Sequence, residues 1–444
     1  LTAAAPTPGD MPTLLTTTSQ SEAPLPLEGV RVIELGNYIA APTTGRLLAD
    51  FGAEVIKIER PHTGDELRNW RLQKGSVSML YRTINRNKKS VELDLRSEIG
   101  RQAILDLVRD SDVLLENFRP GTLERWGIGP DVLHAVNPDI IITRISAFGQ
   151  TGPLAERPGF AAVAEAFSGF RNLVGDPDRA PVRVGVSIGD SIAGLYAAFG
   201  TAISLFQRLA LRDAQHHATT GPDQTSDAEP ASRSAAPNRM VDVALHEAMF
   251  SMLESLVPDY SAYGTERERT GGRMEGIAPS NAYLCGDGGS IVVAGNGDGI
   301  FKRYMEAIDR PDLAEDPDLQ TNAGRWNRRD DLDAAIGAWT LTRTVSEALN
   351  TLDAAGVPAG AIHTAADIVN EPQFIARDMI QYREVSTGEE TLTEVGFPGI
   401  VPVIGERSLP IRTLGPDLGA HTEEILGDRL GMSTADIRMA TKKD

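Results

Sequence analysis

The sequence predicts an α/β protein built on a parallel, doubly wound sheet, and two observations carry that expectation. Residues 30–58 read strand, helix, strand: an apolar run Val30–Leu35, helically spaced apolar residues from Pro42 to Phe51, and a second run Ala53–Ile58. Continuous apolar runs of strand length suit strands covered on both faces, and a helix joining two of them marks a parallel crossover. The same alternation continues as far as residue 146.

Each later element has its own signal. Ser90–Leu95 is strand-like, Ile99–Asp110 an amphipathic helix, Val113–Glu116 a short strand and Ile140–Ser146 a clear one. Gly194–Leu211 is a long apolar helix, beginning only after Asp190. From Arg212 to Asn238 the composition turns to Asp, Gln, His, Thr, Ser, Ala and Pro, marking a polar linker in which His216 and His217 read as solvated residues. Helical spacing resumes over Val241–Leu256, and Ser290–Val293 reads as a strand. Val345–Ala355 is a helix opened by the capping-box pair Thr344 and Glu347 and stopped by Gly356 and Pro358. The end, His421–Met439, looks helical. Residues 1–24, rich in Thr, Ala and Pro, read as a disordered tail without the charge pattern of a signal or transit peptide.

Composition excludes several classes. With 444 residues the chain exceeds the ~250–300 at which single cores stop growing. A net charge of −19 repels nucleic acid over most of the surface. Cys285 is the sole cysteine, so neither an intrachain disulfide nor a cysteine metal cluster can form, which fits a reducing cytoplasm. No metal ligand set is expected. No apolar run approaches the ~18 residues of a membrane span.

Motif tests narrow the chemistry. The turn after the first strand, Gly36-Asn37-Tyr38-Ile39-Ala40-Ala41-Pro42, lacks the G-x-G-x-x-G that brings backbone against a pyrophosphate, so NAD or FAD in that mode is not expected. Neither a P-loop nor H-E-x-x-H occurs. Gly185-Val186-Ser187-Ile188-Gly189 fits G-x-S-x-G, but a nucleophile elbow needs its serine on the turn directly before a helix, and the helix is expected later.

Several segments in order resemble the family III CoA-transferases, the group of formyl-CoA and carnitine CoA-transferases and α-methylacyl-CoA racemases. They are LEGVRVIELGNYIAAP, LLADFGAEVIKIERP, NRNKKSVELDL (85–95), ENFRPGTLERWGIG (116–129), ISAFGQTGP (145–153), VRVGVSIGDSIAG (182–194), AGVPAGAI (355–362) and LG-x-H-T (418–422). The resemblance implies a large Rossmann-like domain made of residues 25–211 and 336–444, with the latter including a return linker. A smaller α+β domain, 239–335, is expected between them, after the linker 212–238. It further implies that each chain forms an open ring and that two chains interlock as a homodimer.

The resemblance also implies roles. Coenzyme A is a polyanion that needs a cationic clamp, and Arg60, Arg86, Lys88, Lys89, Arg119 and Arg125 concentrate charge in the first third of an acidic chain. By charge alone they could equally be solvated loop residues. Positions matching Arg60, Lys88, Asn117, Phe118 and Arg125 become expected CoA contacts, with acyl-CoA as substrate and no permanently bound cofactor. Asp190, in Gly189-Asp190-Ser191 before a long helix, reads either as an N-cap or, through the resemblance, as the aspartate that attacks the thioester.

Racemases of the group pair that aspartate with a histidine in a G-H-D stretch. Here the stretch is Gly159-Phe160-Ala161, and Phe160 cannot move a proton. CoA transfer is therefore expected rather than racemisation; a non-catalytic acyl-CoA-binding relative is the other alternative. Ala161 replaces an acid found in many relatives, and Glu165, one turn on, could supply a carboxylate or be structural. Tyr38 and Phe160 could be pocket wall or core. Wording closest to members acting on succinate- or glutarate-like acids implies a succinyl-CoA-like donor and a small dicarboxylate acceptor, for which Arg46, Arg157 and Arg183 are candidate partners.

Overall fold

A computed structural model describes residues 24–220 and 239–442, with side chains of 214–220 left aside. The expected tail 1–24 therefore falls almost entirely outside the described residues, and so does the linker from 221 onward. The mixed α/β fold is as expected, and its centre is a six-stranded, wholly parallel sheet. In chain order its strands and principal helices are β1 (Arg31–Glu34), α1 (Ala40–Asp50), β2 (Glu54–Glu59), β3 (Lys88–Glu92), α2 (Glu98–Arg109), β4 (Val113–Glu116), β5 (Ile141–Ser146), α3 (Ala161–Phe167), α4 (Ile188–Thr220) and β6 (Met240–Ala244). The spatial order is β3-β2-β1-β4-β5-β6, with register Val32↔Val55 and Val32↔Val113 across the centre.

The apolar runs are explained by this geometry. Val32, Val55, Val113 and Ile141 face one side, where they meet Leu48, Ala49 and Leu205 from α1 and α4. Their successors Ile33, Ile56, Leu114 and Ile142 face the other, against Ile104 and Leu107 of α2 and against Ile425, Leu426 and Ile437 near the C-terminus. Strand neighbours point to opposite faces, so covering both faces favours continuous apolar runs, interrupted here toward the carboxyl ends by buried polar residues such as Glu34, Lys57 and Arg144.

Four corrections follow. Residues 240–244 form the edge strand β6 on β5 instead of opening a helix, so they belong to the large sheet although the sequence reading assigned 239–335 to a small domain. Helix follows only at Leu245–Phe250. The smaller sheet comprises β7 (Ser280–Leu284), β8 (Ser290–Ala294) and β9 (Ala359–Ala361), and its core includes Leu332, Trp339, Leu352 and Val357, well beyond 335. Helix α4 starts at Ile188, earlier than expected, and runs to Thr220 into the supposed linker. Within it, Ile188–Asp213 is long and apolar enough by composition to cross a membrane, contrary to the sequence expectation. Its inner face packs on α1 and the sheet, with Thr44 Oγ1 donating to Gly194 O at 3.1 Å and the buried Arg208 pairing with Asp112 at 2.6 Å. The capping box at Thr344 and Glu347 is present as expected. The helical end is two helices, Glu423–Arg429 and Thr434–Ala440.

The C-terminal segment closes the β3 edge of the sheet. His421 N donates to Ser90 O at 2.9 Å, Ser90 N to His421 Nδ1 at 3.2 Å, and Glu92 N to Thr422 Oγ1 at 3.0 Å. Burial lowers the His421 pKa, which favours the neutral ring needed for an accepting Nδ1. A hairpin, β10 (Ile380–Ser386) with β11 (Thr391–Pro398), leads back to this region through a core shared by Val385, Phe397 and Val77.

Candidate active site

In a sheet of this order the strand connections reverse direction between β1 and β4, and ligands lodge at the carboxyl ends of the strands there. The loops after these two strands are tied together: Asn117 Oδ1 accepts from Asn37 N at 2.9 Å, and Asn117 Nδ2 donates to Asn37 O at 2.8 Å. Around them opens a cleft of about 270 Å³, lined by Asn37, Arg60, Leu93, Arg96, Phe118 and Trp126 among others. Phe118 stacks edge-on against Trp126 at 5.1 Å, and Arg60 is half exposed, paired with Glu66 at 2.5 Å. Arg125 stands in an adjoining polar cleft of about 660 Å³ with Arg119 and Gln150, held to Thr122 Oγ1 at 2.8 Å.

Lys88 does not join them. It is wholly buried, paired with Glu34 at 2.8 Å and donating to Pro42 O and Asn85 Oδ1. Burial lowers its pKa to about 8, with Glu34 opposing. Every donor of its ammonium is engaged inside the protein, so it cannot contact a ligand in this conformation. Asn117 likewise spends its amide on the Asn37 turn and acts by shaping the cleft wall. Arg86 is buried against Asp50 at 2.7 Å. Arg96 and Trp126, which sequence reasoning missed, line the cleft. Arg96 could have been found by its place just past a parallel strand's carboxyl end, where this fold gathers ligand contacts.

The Asn37–Tyr38 turn joins this cleft to a second cluster. Tyr38 adopts φ 64°, a conformation rare for a bulky residue, and its N–H donates to Asp65 Oδ1 at 3.0 Å. Asp65 is in turn paired with buried Lys57 at 2.9 Å. The Tyr38 ring meets Trp70 at 5.2 Å and Phe160 edge-on at 5.8 Å. Phe160, 67% exposed, directly precedes α3, and that helix touches the start of α4: a Cβ on Gly189 would lie 3.1 Å from Glu165 Oε1 and 3.3 Å from the Ala161 Cβ.

Asp190 sits in the first turn of α4, half-buried. It is inside the helix, not its N-cap, and among the described residues no donor hydrogen-bonds its carboxylate. Burial, then the Glu165 charge, push its pKa up to about 6, while Arg183 pulls the other way. The N-cap reading of Asp190 is thus corrected. Glu165 is 1% exposed and pairs with Arg171 at 2.5 Å. Of the three candidate arginines, only Arg183 faces Asp190; Arg46 turns to Asp50 at 4.0 Å, and Arg157 is an exposed residue of the loop before Phe160. Ser187 does directly precede the helix, contrary to the sequence argument, but residues 180–186 form no strand, so the strand–turn–helix of a nucleophile elbow is missing. Cys285 is buried, with its thiol pKa raised by burial, a setting that leaves it inert.

Comparison with known proteins agrees with this geometry. A family model described as CoA-transferase family III matches residues 27–220 and 231–422. The succinyl-CoA–D-citramalate CoA-transferase of Chloroflexus aurantiacus is 40% identical over 96% of this chain and 99% of its own. The succinate–glutarate CoA-transferase of Agrobacterium fabrum is 29% identical over 91% and 95%. A crystal structure of a CAIB/BAIF family protein from Brucella suis superposes with a TM-score of 0.76 at 30% identity, over 91% of this chain and 100% of that one. Matched by the family model over most of its length and 40% identical to a member across 96% of it, this chain belongs to the CoA-transferase family III.

Proposed function

We propose that the enzyme moves coenzyme A from a succinyl-CoA-like thioester to a small dicarboxylic acid, with Asp190 as covalent nucleophile. The observation that carries this reading is Asp190 itself: half-buried, unheld by hydrogen bonds and raised to about 6, it is a reactive carboxylate that is still ionised at neutral pH. Its oxygen attacks the thioester carbonyl, the C–S bond breaks, and CoA leaves as thiolate from a mixed anhydride. The thiolate attacks the aspartyl carbonyl and expels the donor carboxylate, leaving an aspartyl-CoA thioester. The acceptor carboxylate then repeats the two steps in reverse and restores Asp190. No net proton or electron is exchanged.

Arg60, Phe118 and Arg125, with Arg96, are the groups available to the nucleotide end of CoA, and Asn117 shapes their cleft. The dicarboxylate reading draws on relatives named for citramalate, malate and glutarate, and on Arg183 as a partner for a distal carboxylate. Phe160 in place of a histidine speaks against racemisation.

The test is direct. Enzyme incubated with succinyl-CoA should carry a hydroxylamine-sensitive CoA adduct on the peptide containing Asp190, and four- and five-carbon diacids should outrun monoacids of equal length by about tenfold in kcat/KM. An unmodified Asp190 in an active enzyme would overturn the mechanism; equal rates for the two acid classes would overturn the acceptor assignment.

A homodimer in the cytoplasm completes the reading. The outer face of α4 presents Leu195, Phe199, Ile203 and Phe206, all more than half exposed, a stripe that a second copy would cover. Light scattering should give twice the chain mass, and Phe199→Glu with Phe206→Glu should reduce it; a wild-type monomer refutes the dimer.

A further inference from the structure

We infer that Glu165 is a positioning residue for the reaction: its buried carboxylate, held by Arg171 and directed at the Gly189–Asp190 turn, destabilises the charged free form of Asp190 and drives it toward neutral, acylated states. The inference rests on the reading of Asp190 as nucleophile.

Arg171 engages only Oε2 of Glu165, while Oε1 is buried and has no hydrogen-bond donor among the described residues. An orphaned carboxylate oxygen in the interior carries its desolvation cost and calls for an explanation from its surroundings. The orphan here faces the nucleophile's own turn, where Gly189 leaves room that a Cβ 3.1 Å from Oε1 would take. The charged groups facing Asp190 are Glu165 from α3 and Arg183 from the segment before α4. Helix α1, packed on the same helix at Gly194, presents uncharged Ala40 and Thr43.

Two neighbouring carboxylates oppose joint ionisation, a repulsion that Arg171 and Arg183 offset in part. When Asp190 attacks, its negative charge passes to the departing thiolate and then to the released donor carboxylate, which diffuses away. The aspartyl-CoA thioester left behind is neutral, so the repulsion stored in the free enzyme is released on forming it. Glu165 thereby shifts the balance between free enzyme plus acyl-CoA and covalent enzyme plus free acid, without touching the substrate.

The experiment reads two quantities together. With succinyl-CoA and succinate at a fixed ratio, quenched samples analysed by intact mass give the adduct-to-free ratio; the pH profile of kcat/KM gives the acid limb. Glu165→Gln should lower the ratio about tenfold and move the acid limb down by about one unit, since both report the same lost repulsion. Arg171→Gln removes the cation that offsets Glu165 and should raise the adduct ratio, read at pH 8, and move the acid limb up, which keeps the proposal testable if one variant does not fold. A merely structural glutamate would lower activity with ratio and limb unmoved, and that result, or shifts in opposing directions, overturns the inference. Wild-type enzyme that forms no adduct on Asp190 would instead sink the proposed function.

Discussion

Replacing Asp190 with Asn should abolish CoA transfer and at the same time make the protein more stable. The raised pKa means that the folded state holds the ionised carboxylate less well than water does. Below the ordinary value of 3.8 the group is protonated in both states and costs nothing. Between 3.8 and about 6 the unfolded chain ionises first, so the penalty accumulates; above about 6 it is complete. At 1.36 kcal/mol per unit the full penalty is about 3 kcal/mol, an upper value because partial exposure screens it. Asparagine keeps the shape and never ionises. Paired urea titrations should show the variant more stable by about 1–3 kcal/mol at pH 8 and indistinguishable from wild type near pH 4. Equal stability at pH 8, a gain that persists at pH 4, or a loss would refute the argument that burial and Glu165 load the nucleophile.

Three further outcomes follow from the same geometry. Arg60→Ala or Arg125→Ala should weaken acyl-CoA binding by about 1–3 kcal/mol in calorimetry, the scale of a lost charge-assisted contact, with little change in the acid's KM. Lys88→Met should leave Glu34 with Lys57 as its remaining cation and cost stability in thermal unfolding, by less than the ~3–5 kcal/mol of a fully orphaned buried charge, while CoA affinity of the folded fraction holds. Arg183→Gln removes the cation that steadies ionised Asp190, so the acid limb of kcat/KM should rise above about 6 and the preference for diacids should fall.

What the sequence disclosed was set by local physics. Strands sealed on both faces announce themselves as apolar runs, so β1, β2, β4 and β5 were legible within a residue or two. Strand β6 was not: Met240–Ala244 passes into Leu245–Phe250 with no turn residue between, and edge position leaves its outer side free of the apolar demand. The start of α4 was hidden by Gly189, a weak helix former that the contact with Glu165 and Ala161 requires there. Lys88 lies in a basic stretch that reads as surface, and only the fold brings Glu34 under it. Asp190, Phe118 and Arg60 were singled out by motif order, not by periodicity, and their roles rest on the proposed function.

The closure of β3 by residues 419–422 has a consequence for biosynthesis. Glu92 and Thr422, which hydrogen-bond across that edge, are 330 residues apart, and a ribosome adding ~5–20 residues per second needs about 15–65 s to travel between them. Throughout that interval the nascent sheet carries an open row of amide and carbonyl groups on β3, a ready template for strands of neighbouring nascent chains. The last segment made is thus the one that withdraws the template. A chain released before Gly419 would keep it, whatever the state of its catalytic residues, and loss of the terminal segment should register first as insolubility during translation and only then as lost activity.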